Sequence, residues 1–234
     1  MARDLVVRAT NSILAHISCG EFSEEKPLPP EAELAELLGV SRLTMREAVR
    51  ILQDRGVLKV VHGRGTYVRP ISEWRDLATI ATFLSQRIDP LDLGFQLLGV
   101  RRMIEVGASG LAAERRSADD LAALAADLER YEEAAAAGDV EAVVDADMDF
   151  HQHIQAASGN PFISAVMMPL ESALERSRSA TSADERVRQR AQGHHRNVYK
   201  AILAGDASAA KDAMRGHMTQ TAEDLGSLKS RKAQ

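Results

Sequence analysis

The chain is predicted to be mainly α, an N-terminal winged helix-turn-helix followed by an all-α helical bundle. Three observations carry this. Apolar residues make up 45% of the 234 residues but aromatics only 4%, and the abundant alanine favours close-packed helices over a β-sandwich. Strand-like patterning is confined to a short segment around residues 57–68. The charge is split. Residues 41–70 carry seven Lys or Arg against Glu47 and Asp54, a local charge of +5, whereas residues 71–234 carry 19 basic against 25 acidic residues, or −6. A basic block in an acidic chain marks a small polyanion-binding module joined to a different body. The expected division is a winged helix-turn-helix domain over 1–70, a linker and linker helix over 71–88, and an all-helical domain over 89–234.

The first stretch, "MARDLVVRATNSILAHI", carries an aspartate and alternates polar with apolar residues. It is a poor leader peptide and too polar to span a membrane. Cys19 is the only cysteine, so no disulfide forms within the chain, which suits a reducing cytoplasm.

"PPEAELAELLGVSRLTMREAVRILQDRGVL" reads as two helices and a tight turn. Pro29 and Pro30 fit a helix start. Leu34, Leu37 and Leu38 are spaced for one apolar stripe, and Gly39 ends the helix. Ser41 is placed to cap the next helix. There Met45, Val49 and Leu52 face inward, leaving Arg42, Thr44, Arg46 and Arg50 on the outer side, the side that enters a DNA major groove. "GVLKVVHGRGTYVRP" then gives two β-branched runs around a glycine-rich turn, a hairpin wing. Arg64 at its tip, with His62 beside it, reaches a minor groove or a phosphate.

These residues resemble the winged helix-turn-helix of the GntR family of bacterial transcription regulators, through "GVSR", "REA" and the wing "GRGT-V". The resemblance implies that Arg42, Thr44 and Arg46 contact bases or phosphates and that His62 and Gly63 sit in the minor groove. Ala32 stands where the family usually has an arginine, so one DNA contact is expected to be absent.

Beyond Pro70 and "ISEWRD", helices are predicted over about 74–87, 91–115, 118–137, 139–157, 161–180, 184–204 and 206–227, cut at "DP", "SADD", "GD", "GNP" and "GD". In the fourth of these, "DADMDFHQHI" holds three aspartates and two histidines. At about 100° per residue, Asp147 and His151 share the face of Val140, Val143, Phe150 and Ile154. Asp149 and His153 point the other way, to solvent. Burying a carboxylate and an imidazole calls for compensation by a metal, a hydrogen-bond network or water. His217 faces inward among Ala210, Met214, Met218, Thr221 and Leu225. His194 and His195 both flank an apolar stripe, and phase does not choose between them. One Asp and three His on three helices make a four-ligand metal site possible.

This helical region is similar to the ligand-binding (FCD) domain of the FadR-type branch of the same family. That resemblance implies a divalent transition metal (zinc, nickel or manganese) held by Asp147, His151, His195 and His217. It also implies that Arg101, nearer the apolar stripe than Arg102, meets a carboxylate of an effector. The alternative for Arg101 is a surface salt bridge to Glu105, one turn on. The expected protein is a cytoplasmic homodimer, not an enzyme. It would bind an inverted-repeat operator in double-stranded DNA and respond to a small organic acid, with sugar acids such as aldonates as candidates. Two other readings of the donors are a water-activating metalloenzyme and a purely structural metal site.

Overall fold

The computed structural model of the chain describes residues 2–233. Two compact units divide them, Met1–Ile88 and Asp89–Gln234. Residues 71–88 therefore fold with the N-terminal unit.

That unit begins with α1 (Ala2–Ser18), a helix formed by the stretch whose alternation alone did not announce one. Ala9, Ile13, Leu14 and Ile17 are buried at helical spacing. α2 (Glu31–Leu37) and α3 (Arg42–Asp54) follow. Ser41 caps α3, its Oγ accepting from the Thr44 N–H at 3.1 Å. Met45, Val49 and Leu52 are buried as expected, but Leu37 is 55% exposed and Ala35 takes the inward place beside Leu34. Leu38, the residue that follows the last helical position, packs partly buried against the same core, so only Leu37 leaves the expected stripe.

The wing pairs β1 (Leu58–Val61) with β2 (Gly65–Val68) antiparallel, Leu58 opposite Val68 and Val61 opposite Gly65. After a 3₁₀ turn at Ile71–Glu73 comes α4 (Leu77–Arg87), which starts three residues later than predicted. The reason is Trp74. It is extended and buried, its Nε1–H donates to Arg69 O at 2.9 Å, and its ring lies 4.8 Å from Phe83. Asp76 then caps the helix by accepting from the Thr79 N–H at 2.8 Å.

The second unit is all helical among the described residues: α5 (Pro90–Arg115), α6 (Ala118–Ala137), α7 (Val140–Ala157), α8 (Pro161–Met167), α9 (Glu171–Ser182), α10 (Glu185–Ala204) and α11 (Ala207–Lys232). The cuts follow capping side chains: Ser117, Asp139, Asn160, Asp184 and Asp206 each accept from a backbone N–H in the first turn that follows. The single helix expected over 161–180 is instead α8, a 3₁₀ turn at Met168–Leu170, and α9. Pro169 lacks an N–H and its ring crowds the preceding turn. α11 continues past the expected residue 227 to Lys232.

α11 lies along α5 and α10, α6 packs on α7, and α5 also meets α7 and α9. Buried alanines 108, 112, 113 and 210 let these backbones approach closely. Phe150, Ile154, Val198, Ile202, Met214 and Met218 fill the space between them. Four helices, α5, α7, α10 and α11, thereby turn the polar groups on their inner faces towards one interior.

Candidate functional site

The inward reading of α7 holds in the structure: Asp147 and His151 are buried beside Val143, Phe150 and Ile154. His195 and His217 are buried with them, at 0% and 4% exposure. The donor nitrogens of His151, His195 and His217 all lie within 4.8 Å of one another. The rings sit 4.6 Å (His195–His217), 5.2 Å (His151–His195) and 5.3 Å (His151–His217) apart. Asp147 Oδ1 lies 3.3 Å from His195 Nε2, but Asp147 is not among the donors that all stand within 4.8 Å of one another. His194 is only half-buried and stands 6.0 Å from His217 at the margin.

Both ring nitrogens of His195, and Nδ1 of His217, are buried without a hydrogen-bond partner. Such groups are costly to leave unpaired. Burial keeps all three imidazoles neutral. It pushes His195 down to about 3, only partly offset by Asp147. His217 falls well below its ordinary value, and His151 falls despite the opposing pull of Glu105. Neutral imidazoles with free lone pairs beside a carboxylate suit a transition metal. Burial alone would raise Asp147, but the Arg178 guanidinium foremost holds it at about 2, so it is an anion.

Three further side chains complete the site. Arg101 and Glu105 form the ion pair that their spacing allowed, at 2.7 Å, yet it is buried rather than on the surface. Glu105 Oε2 also lies 2.6 Å from His151 Nδ1, off the line of a good hydrogen bond. Burial favours the neutral acid there, but the Arg101 guanidinium outweighs it and holds Glu105 well below the carboxylate range. Arg101 Nη2 is 3.3 Å from His151 Nε2. Arg178 of α9, which the sequence reading passed over, is buried and binds Asp147 Oδ2 through Nε at 2.6 Å. Its only sequence signal was its place one turn after Leu174 on an inward stripe. A cavity of about 40 Å³ opens here, lined by Arg101, Asp147, Arg178 and His217 with Thr181, Ser182, Gln220 and Thr221. At its edge Arg190 of α10 binds the buried Asp224 of α11.

The outward pair of α7 is more than solvated surface. His153 Nδ1 lies 2.5 Å from the buried Asp127 Oδ2, and Asp149 accepts from Arg130 at 2.8 Å, so both tie α7 to α6.

In the N-terminal unit, Arg42 and Arg46 are exposed at the start of α3. Arg46 is 74% exposed and forms an ion pair with Glu31 at 3.5 Å, its one ion pair among the described residues. Thr44 is half-buried, its Oγ1 2.8 Å from Ser41 Oγ, which fixes the helix start. Arg50 lies back along α3 between Glu47 (2.7 Å) and Asp54 (2.9 Å). His62, Gly63 and Arg64 are exposed in the wing turn. Leu43, 77% exposed beside Arg42, was not singled out in the sequence, although it falls outside the inward set Met45, Val49 and Leu52. An apolar side chain there can meet a thymine methyl.

Comparison with known proteins accords with both units. The family model for bacterial regulatory proteins of the gntR family matches residues 5–68, and that for the FCD domain matches residues 96–220. The HTH-type transcriptional regulator LutR of Bacillus subtilis (strain 168) is 30% identical, over 89% of this chain and 95% of its own. The galactonate operon transcriptional repressor of Escherichia coli (strain K12) is 29% identical, over 83% and 85%. The solved structure of Streptococcus agalactiae GntR aligns with a TM-score of 0.50 at 29% identity, covering 92% of this chain and 97% of that one. The chain belongs to the GntR family of bacterial transcription regulators, in the branch that joins the gntR DNA-binding domain to an FCD domain, and is a ligand-responsive DNA-binding regulator rather than an enzyme.

Proposed function

We propose that the chain acts in the cytoplasm as a homodimeric repressor, released from an inverted-repeat operator when a small hydroxy or sugar acid binds beside a divalent transition metal. The observation that carries this reading is the convergence of three buried imidazoles, with unpartnered nitrogens on His195 and His217, beside a cavity that His217, Asp147, Arg101 and Arg178 line. Asp147, His151, His195 and His217 would hold the metal, and Glu105 would orient His151 by taking its Nδ1–H. When bound, the metal supplies a Lewis acid for carboxylate and hydroxyl oxygens.

Charge supports an anionic effector. Arg101 and Arg178 balance Glu105 and Asp147, and the imidazoles are neutral. A divalent cation leaves this buried site net positive, which an organic carboxylate offsets. Arg101 and Arg178 offer it charge-assisted hydrogen bonds. Thr181, Ser182, Gln220 and Thr221 supply hydroxyl and amide partners suited to a hydroxylated acid. A relative named as the repressor of a galactonate operon points to the same class. The cavity is too small for such an acid as it stands, so entry requires displacement at the Arg190–Asp224 clasp between α10 and α11. That displacement is how occupancy would reach the operator-binding unit. There Arg42, Thr44, Arg46 and Arg50 would address the major groove, with His62, Gly63 and Arg64 in the wing.

A thermal-shift screen of carboxylic and sugar acids tests the reading. At least one acid should raise the melting temperature of metal-loaded protein, and chelator should abolish the rise. If chelation unfolds the bundle and no acid shifts its melting, the metal is structural and the effector site is wrong.

A further inference from the structure

The end of α1 gathers a second set of metal-binding side chains, in the run "HISCGE". His16 is in the last turn of the helix. Gly20, at φ +84°, reverses the chain, and the Phe22 N–H closes the turn on His16 O at 3.1 Å. This brings Glu21 back onto the imidazole, with Oε2 2.5 Å from His16 Nδ1. Cys19 Sγ lies 3.3 Å from His16 O on the same side. The His16 ring stacks on the buried Phe22 at 5.1 Å, which fixes its direction. One imidazole nitrogen, one thiol sulfur and one carboxylate oxygen thus lie within 4.8 Å of one another.

From this juxtaposition we propose that His16, Cys19 and Glu21 form a site for a thiophilic divalent cation, Zn²⁺ by donor type, distinct from the buried imidazole site. Thiolate, imidazole and carboxylate are the donors that zinc takes in tetrahedral sites, at about 2.0–2.3 Å. Donors around such an ion stand roughly 3.5 Å apart, so His16 and Glu21 open by about 1 Å and Cys19 turns away from the helix carbonyl. The side chains keep the exposure this needs, 26% for His16 and 53% for Glu21, and Cys19 is exposed. Water fills the fourth position. On binding, the thiol loses its proton to solvent and the imidazole carries its proton on Nε2, leaving the Nδ1 lone pair for the metal. The negative end of the α1 dipole adds to the attraction.

The proposal stands independently of the effector reading, and cobalt separates the two sites. Co²⁺ is titrated into reduced, chelator-stripped full-length protein without oxygen. A thiolate on cobalt absorbs in the near ultraviolet by charge transfer, whereas the buried site offers only nitrogen and oxygen donors. The band should account for one thiolate-bound ion per chain beyond any held at the buried site, disappear in Cys19→Ser, persist in His217→Ala, and be displaced by Zn²⁺. His16→Ala and Glu21→Gln should each weaken its apparent affinity by roughly tenfold or more. No band at millimolar cobalt, or a band that His16→Ala leaves unchanged, overturns the proposal. Circular dichroism of each exposed-site variant separates a lost site from a lost fold.

Discussion

His195 and His194 are adjacent on α10, and helical phase left both beside the apolar stripe. Packing distinguishes them, because His195 is fully buried within the imidazole group while His194 lies at its margin. His195→Ala should cut metal content, measured by elemental analysis, while His194→Ala leaves it near wild type; the opposite pattern would reverse the assignment. The same burial predicts a pH dependence in metal-free protein. An unfolded histidine takes up its proton near pH 6.5, but folded His195 does so only near 3. Below about pH 6.5 the unfolded chain therefore binds more protons, and stability falls as pH drops towards 3. Each such imidazole contributes a slope of up to about 1.4 kcal/mol per pH unit. Asp147, depressed to about 2, loses its contribution only below about pH 4, so the range above that reports the histidines. Urea midpoints of chelated protein should fall between about pH 7.5 and 5, less steeply in His195→Ala; a flat wild-type profile would contradict the burial argument. Arg178 was not legible at this scale. A charged residue on a mixed helix is normally exposed, and only the facing Asp147, on another helix, makes its burial tolerable.

Helix boundaries were the most legible part of the chain because capping is local. Asp139, Asn160, Asp184 and Asp206 announce their helices within three residues, and the wing was marked by its β-branched runs. What failed depended on contacts. Trp74 delays α4 by turning into a core that only the folded unit provides. α1 became a helix through packing on α3 and α4. The break at Met168–Leu170 is local, since Pro169 lacks the N–H that a continuous helix over 161–180 requires. Gly56, which follows α3, shows how tightly the segment after the wing is held. Its φ is +79°, and a Cβ there would stand 2.9 Å from Glu73 O and 3.4 Å from Arg75 N. The Arg75 N–H donates to Arg55 O at 2.8 Å in the same contact. Gly56→Ala should therefore destabilise the N-terminal unit by about 1–3 kcal/mol. Trp74 is the only tryptophan and is buried in that unit, so its fluorescence reports this unit's unfolding. An unshifted midpoint would mean that the backbone relaxes there without strain.

At the scale of the whole molecule, the charge split visible in the sequence corresponds to two units with separate cores. Lesions in one should leave the other's binding intact. Arg46, free of any strong partner in α3, should be needed for operator binding, so Arg46→Ala loses it while effector affinity is unchanged. Coupling between the units is a separate quantity, and thermodynamics constrains it. If the acid weakens operator binding by some factor, operator DNA must weaken acid binding by the same factor. A coupling of about 1–3 kcal/mol corresponds to roughly 5–150-fold, within reach of calorimetric titration. Both legs must be run at one ionic strength, since phosphate contacts make the DNA leg strongly salt-dependent. The two factors should agree in metal-loaded wild type and collapse to one on chelation. His217→Ala should match the chelated protein, keeping operator affinity while losing its response to the acid. A response to the acid that survives chelation would place the effector away from the imidazoles, whatever the metal does there.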